Sequence, residues 1–108
     1  MAVDIGRVLP DSRLGRLLAA HRDRVLAVAN SHGVSNVRVF GSVARGEDGA
    51  DSDIDLLVDV PEHGFGLIEH AGLLIDLEEE LGTSIDLAPA NTLRAGIRDS
   101  VLNEAIAL

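Results

Sequence analysis

Cysteine, lysine, tryptophan and tyrosine are all absent from this 108-residue chain, which also has one methionine and only two aromatics, Phe40 and Phe65. Having no cysteine excludes disulfides, thiolate metal sites and cysteine nucleophiles together, and fits a reducing compartment. Having no lysine excludes a P-loop lysine and Schiff-base chemistry. With so few aromatics the core has to be aliphatic. No apolar run approaches the roughly 20 residues that a membrane span needs. The opening MAVDIGRVLPDSR lacks the basic start and continuous apolar centre of a signal peptide, so a cytoplasmic protein without membrane association is expected. Positive charge is also short. Nine basic residues, all Arg, face eighteen Asp and Glu, for a net charge of −9. So acidic a chain binds a nucleic-acid backbone poorly, because that affinity comes from neutralising phosphates, and no stable nucleic-acid partner is expected. If the chain handles phosphate, metal ions must supply most of the positive charge.

The length suits one domain over residues 1–108 with a modest core. The first ten residues read as irregular and end in Pro10. Asp11 or Ser12 is a plausible N-cap for a helix over 13–31, in which Leu14, Leu17, Leu18, His21, Val25 and Val28 recur at three-to-four spacing. Gly33 stops it. A strand is expected over 36–41 and a second over 53–60, ended by Pro61. Between them runs the polar connection SVARGEDGADS, whose first turn suits a short helix. Leu67, Ile68, Ala71, Leu74, Ile75, Leu77 and Leu81 mark a helix over 66–81, stopped by Gly82. A short strand over 84–87 follows. Asn91 or Thr92 is then expected to cap a last helix with apolar positions Leu93, Ile97, Val101, Leu102 and Ala105. The fold class is therefore α/β (α+β): a small mixed β-sheet of three short strands with helices packed mainly on one face.

The stretch 36–60, NVRVFGSVARGEDGADSDIDLLVDV, organises the rest. Gly41-Ser42 is followed by ten residues and then by Asp53-Ile54-Asp55 at the head of an apolar run. Side chains on a strand alternate faces, so Asp53 and Asp55 point the same way. Two ionised carboxylates roughly 6–7 Å apart repel by about 2–3 kcal/mol at an effective dielectric near 20, which invites a cation. On its own the pair also suits the solvated face of a half-exposed sheet, which Asp59 shares. A calcium loop is a false match. Asp51, Asp53, Asp55 and Glu62 stand at EF-hand ligand positions, but the obligatory glycine is replaced by Leu56 and the best strand would have to unravel. His21, His32, His63 and His70 show no metal-ligand spacing, and nothing marks Ser42 as a triad nucleophile. Phe65, between Gly64 and Gly66, suits a turn anchor better than a stacking platform.

Gly-Ser, ten residues and Asp-x-Asp form the signature of the DNA polymerase beta-like nucleotidyltransferase superfamily. GSVARGEDGADSDIDLLVD resembles in particular the MNT-type minimal nucleotidyltransferases, over nearly the whole chain. The resemblance implies the nucleotidyltransferase fold and a set of roles. Gly41 lets backbone approach a triphosphate closely, and Ser42 offers its N–H and hydroxyl to phosphate oxygens. Asp53 and Asp55 bind two Mg²⁺ ions, and Asp86, in Ile85-Asp86-Leu87, matches the third carboxylate, which helps activate the attacking hydroxyl. Arg45, one helical turn beyond Ser42, would reach the phosphates or a partner, with a solvated Arg as the alternative. Spacing alone does not bring Asp86 to the pair, and a polar residue on an edge strand is its other reading.

MNT-type proteins are typically antitoxins paired with a HEPN-domain ribonuclease toxin. They transfer AMP from ATP to a hydroxyl of the toxin, usually tyrosine. That resemblance implies the same activity here, with ATP and the HEPN toxin as partners. Two other readings stay open: an antitoxin that masks its toxin without catalysis, and a free-standing transferase with a small-molecule or RNA acceptor.

Overall fold

The computed structural model describes residues 8–108. Of the irregular opening expected over 1–10, residues 1–7 lie outside the described residues. Ser12 caps helix α1 (Arg13–Ala20), its hydroxyl accepting from the N–H of Gly15 at 3.1 Å. The single helix expected over 13–31 is two helices, because α1 ends at Ala20 and α2 runs Arg22–Ser31. The break falls at His21, whose N–H is shared between the carbonyls of Leu17 and Leu18 at 3.2 Å each. At the break His21 Nδ1 lies 2.8 Å from Oε2 of Glu80, on the later helix α4 (Leu67–Leu81). Leu14, Leu18 and Val25 stay fully buried across the break, so the apolar stripe carries no sign of it.

After Gly33 the chain enters β1 (Ser35–Phe40), passes through the short helix α3 (Gly41–Ala44) and returns in β2 (Ile54–Asp59). Helix α4 then crosses over to β3 (Ile85–Pro89), closed at its C-terminus by Gly82 at φ 67°. The cap expected at Asn91 or Thr92 is not there. Those residues form a 3₁₀ turn, Ala90–Thr92, with the Thr92 hydroxyl donating to the Pro89 carbonyl at 2.7 Å. Extended backbone at Leu93 and Arg94 delays α5 to Ala95–Glu104. The sheet has a fourth strand beyond the three expected, β4 (Ile106–Ala107), whose two residues leave no periodicity in the sequence.

The sheet order is β3-β2-β1-β4, with β2 parallel to β3 and β1 antiparallel to both of its neighbours. Val37, Val39, Ile54, Leu56, Val58, Ile85 and Leu87 pack with Leu14, Leu18, Val25, Ala29, Leu73, Leu77 and Leu81 in one aliphatic core. Each fully buried Leu or Val in it contributes about 1.5–3 kcal/mol. On α4 the buried row is Leu73, Leu77 and Leu81, whereas Leu67 and Ile68 are 86% and 84% exposed. Beside the His21–Glu80 contact, His32 Nε2 meets Asp76 Oδ2 at 2.7 Å, so two histidine–carboxylate pairs join the α1/α2 arm to α4. Among the described residues no helix is long and apolar enough to cross a membrane.

Candidate active site

The site is built where β1 turns into α3, beside the first residues of β2 and β3. Gly41 opens α3 with φ +72°, in the left-handed region where a side chain is strained. A Cβ there would run into the carboxylate of Asp55. The glycine therefore lets the turn's backbone lie directly against Asp55, and Ser42 follows as the second residue of the turn. The loop between α3 and β2 is tied to α1. Asp48 Oδ2 accepts from the Leu14 N–H at 3.0 Å, and the Arg13 guanidinium donates to the carbonyls of Gly49 and Ala50 at 3.0 and 3.3 Å.

Asp53 is exposed and stands one residue before β2; Asp55 is half-buried within it; Asp86 is exposed on β3. The parallel register pairs Ile54 with Ile85, Asp55 with Asp86 and Leu56 with Leu87. Both flanking pairs are buried in the core, so strand alternation turns Asp55 and Asp86 together onto the opposite face. Convergence of the third carboxylate, which spacing could not supply, comes from this register.

Crowding shows in the acidity of Asp55. Burial, the charges of Asp86 and Asp53 and a side-chain hydrogen bond with Asp86 push its carboxyl up from 3.8 to about 6, against a downward pull from Arg45. Among the described residues no three acidic or histidine side chains stand in a metal-ligating cluster. The donor chemistry nevertheless fits a hard divalent cation. The groups are all carboxylates, and burial together with the neighbouring charges of Asp86 and Asp53 makes Asp55 hold its proton more tightly than an ordinary carboxyl.

Arg45 is not a free cation at the end of the turn. Its Nε donates to Glu47 Oε1 at 2.9 Å and a terminal nitrogen donates to Glu104 Oε1 at 3.0 Å. The hydrogen bonds it donates to Glu47 and then Glu104 raise its pKa above the ordinary arginine value. The other oxygen of Glu104 accepts from the Gly41 N–H at 2.7 Å. Sequence reasoning missed Glu104, which stands 63 positions from Gly41 and is brought there by the closing helix and strand. His21 and His32 face carboxylates on α4, and His63 is exposed beside Glu62, so none of these joins the site. Phe65 packs partly buried against the core, as a turn anchor does.

Residues 22–108 match the family model described as the nucleotidyltransferase domain. The protein adenylyltransferase MntA of Thermococcus cleftensis is 38% identical over 90 residues, covering 83% of this chain and 87% of that relative. A solved structure described, provisionally, as a minimal nucleotidyltransferase is 46% identical with a TM-score of 0.78, covering 86% of this chain and 94% of the other. Two complexes share the fold at lower identity. One is a toxin–antitoxin with AMP-PNP (TM-score 0.68, 18% identity, 79% of this chain and 69% of the other). The second is the tri-AMPylated Shewanella oneidensis HEPN toxin with its MNT antitoxin (TM-score 0.63, 15% identity, 82% and 69%).

Proposed function

The chain belongs to the nucleotidyltransferase domain family, and from that premise we propose that it is an antitoxin that transfers AMP from ATP, with Mg²⁺, to a tyrosine hydroxyl of a HEPN ribonuclease toxin. The observation that carries this reading is the in-register pair Asp55–Asp86, with Asp53 close enough to raise Asp55, set against the Gly41-Ser42 turn. The naming of the Thermococcus relative as a protein adenylyltransferase and the HEPN complex among the structural neighbours support a protein acceptor. So does the net charge of −9, which disfavours a nucleic-acid acceptor.

In this reading the acceptor oxygen attacks the α-phosphorus of ATP in line. The bond from that phosphorus to the bridging oxygen breaks, and pyrophosphate leaves. Asp53 and Asp55, completed by Asp86, would hold two Mg²⁺ ions, which would supply the positive charge that offsets charge developing on the phosphate. Asp86, the more exposed of the strand pair, faces the incoming hydroxyl and helps to draw off its proton. Ser42 gives its N–H and hydroxyl to phosphate oxygens at the start of the turn. Arg45 lies one turn on, within reach of the same phosphates once they displace part of its carboxylate pairing.

The test is co-expression with the HEPN protein and mass spectrometry of that partner. Wild type should leave AMP on a tyrosine, and Asp55→Asn should leave none. An Asp55→Asn chain that protects cells while the partner stays unmodified would replace transfer with masking.

A further inference from the structure

We propose that Glu104 is a positioning residue of the nucleotide site, a reading that rests on the nucleotide-binding role given above to Gly41, Ser42 and Arg45. One carboxylate spans both ends of the phosphate-binding turn, accepting from the Gly41 N–H at 2.7 Å and from the Arg45 guanidinium at 3.0 Å. Phe40, at the N-cap of α3, supplies no side-chain hydrogen bond to the turn. Glu104 provides that cap from the far end of the sequence.

The carboxylate is held on a fixed base. Glu104 is the last residue of α5, and the chain behind it is locked in the sheet: Ile106 pairs with Val39, and the Leu108 N–H donates to the Val37 carbonyl at 2.9 Å. Ala105, Ile106 and Leu108 are 8%, 5% and 8% exposed. Glu104 thus refers the turn to β1, the strand from which the turn emerges, and to the Asp55 carboxylate against which Gly41 packs. A side chain anchored in this way acts as a brace more readily than as a mobile competitor for phosphate. Of the turn's N–H groups Glu104 takes that of Gly41. Its second oxygen shares the Arg45 guanidinium with Glu47, so that side chain is held from both the loop and α5.

The experiment compares wild type with Glu104→Ala, Glu104→Gln and Glu47→Gln. It measures KM for MgATP and kcat in AMP transfer, affinity for a non-hydrolysable ATP analogue, and the thermal midpoint. Loss of the brace should raise KM and weaken analogue binding together, by about tenfold or more in Glu104→Ala, with kcat down less than about threefold. Glu104→Gln keeps an oxygen for the Gly41 N–H but turns an amide toward Arg45, so it should recover part of the affinity. Glu47→Gln should stay within about twofold of wild type. Unchanged KM and analogue affinity in a folded Glu104→Ala would overturn the proposal. Tighter binding would also overturn it, and would make Glu104 a competitor for phosphate instead. If wild type bound the analogue and transferred no AMP, the proposed function would fail, and the analogue affinities would still decide the role of Glu104.

Discussion

Asp86 stands directly beside Asp55 in the parallel pairing of β2 with β3, and this one register brings a third carboxylate to the candidate site. Asp59 lies four residues further along the same face of β2, but its carboxylate is spent on Asn36 and Arg38 at 2.9 and 2.8 Å. Position on the face therefore does not by itself make a site residue. Asp86→Asn should lower AMP transfer by roughly 100-fold or more, while Asp59→Asn should stay within about threefold. Initial rates with both folded variants check this.

The raised pKa of Asp55 gives a pH dependence with a definite sign. Its carboxyl holds a proton up to about pH 6 when folded and to about 3.8 ordinarily, so the folded chain binds the proton more tightly. That contribution to stability is fully present below about pH 4 and is lost as pH rises through 6. Asp55→Asn should accordingly raise the melting temperature of the metal-free protein at pH 7.5 by a few degrees, with the gain shrinking toward pH 4.5. Melting curves at the two pH values, without Mg²⁺, read it. Added Mg²⁺ should stabilise wild type and leave the variant almost unmoved.

Gly41 is where the turn and the carboxylates are most tightly fitted. Gly41→Ala would place a Cβ on the Asp55 carboxylate at a φ of +72°. The expected cost is about 1–3 kcal/mol of stability, with loss of transfer because the turn and Asp55 must separate. Denaturant unfolding gives the first quantity and the transfer assay the second.

At His21, where the helix breaks, the ring meets Glu80 across to α4. Both side chains are mostly shielded, at 28% and 20% exposed. A double-mutant cycle with His21→Ala and Glu80→Gln should return a coupling of about 0.5–1.5 kcal/mol. A coupling near zero would mean that the contact contributes nothing to stability.

The same break shows how far local sequence carries. The stripe from Leu14 to Val25 and the alternation in 53–60 placed helices and strands well, because burial on one face leaves a period in the sequence. His21 leaves none, since its partner lies 59 positions away. The pattern around Asp53, Asp55 and Gly41-Ser42 is local and was legible. Asp86 became a strand neighbour of Asp55 only through the β2–α4–β3 crossover, and Glu104 reached Gly41 only because β4, too short to show a period, pairs with β1. On α4 the apolar positions outnumber those the core takes: Leu67, Ile68 and Ile75 are exposed, while Leu73 is buried.

The central claim is metal-dependent transfer of AMP at the three carboxylates. It is tested most directly by incubating the purified protein with Mg²⁺, α-labelled ATP and the HEPN partner, beside Asp53→Asn. Label should appear on the partner with wild type, be lost on adding a chelator and be absent with Asp53→Asn. Undiminished label with Asp53→Asn, or a tight complex that takes up no label with wild type, would contradict it.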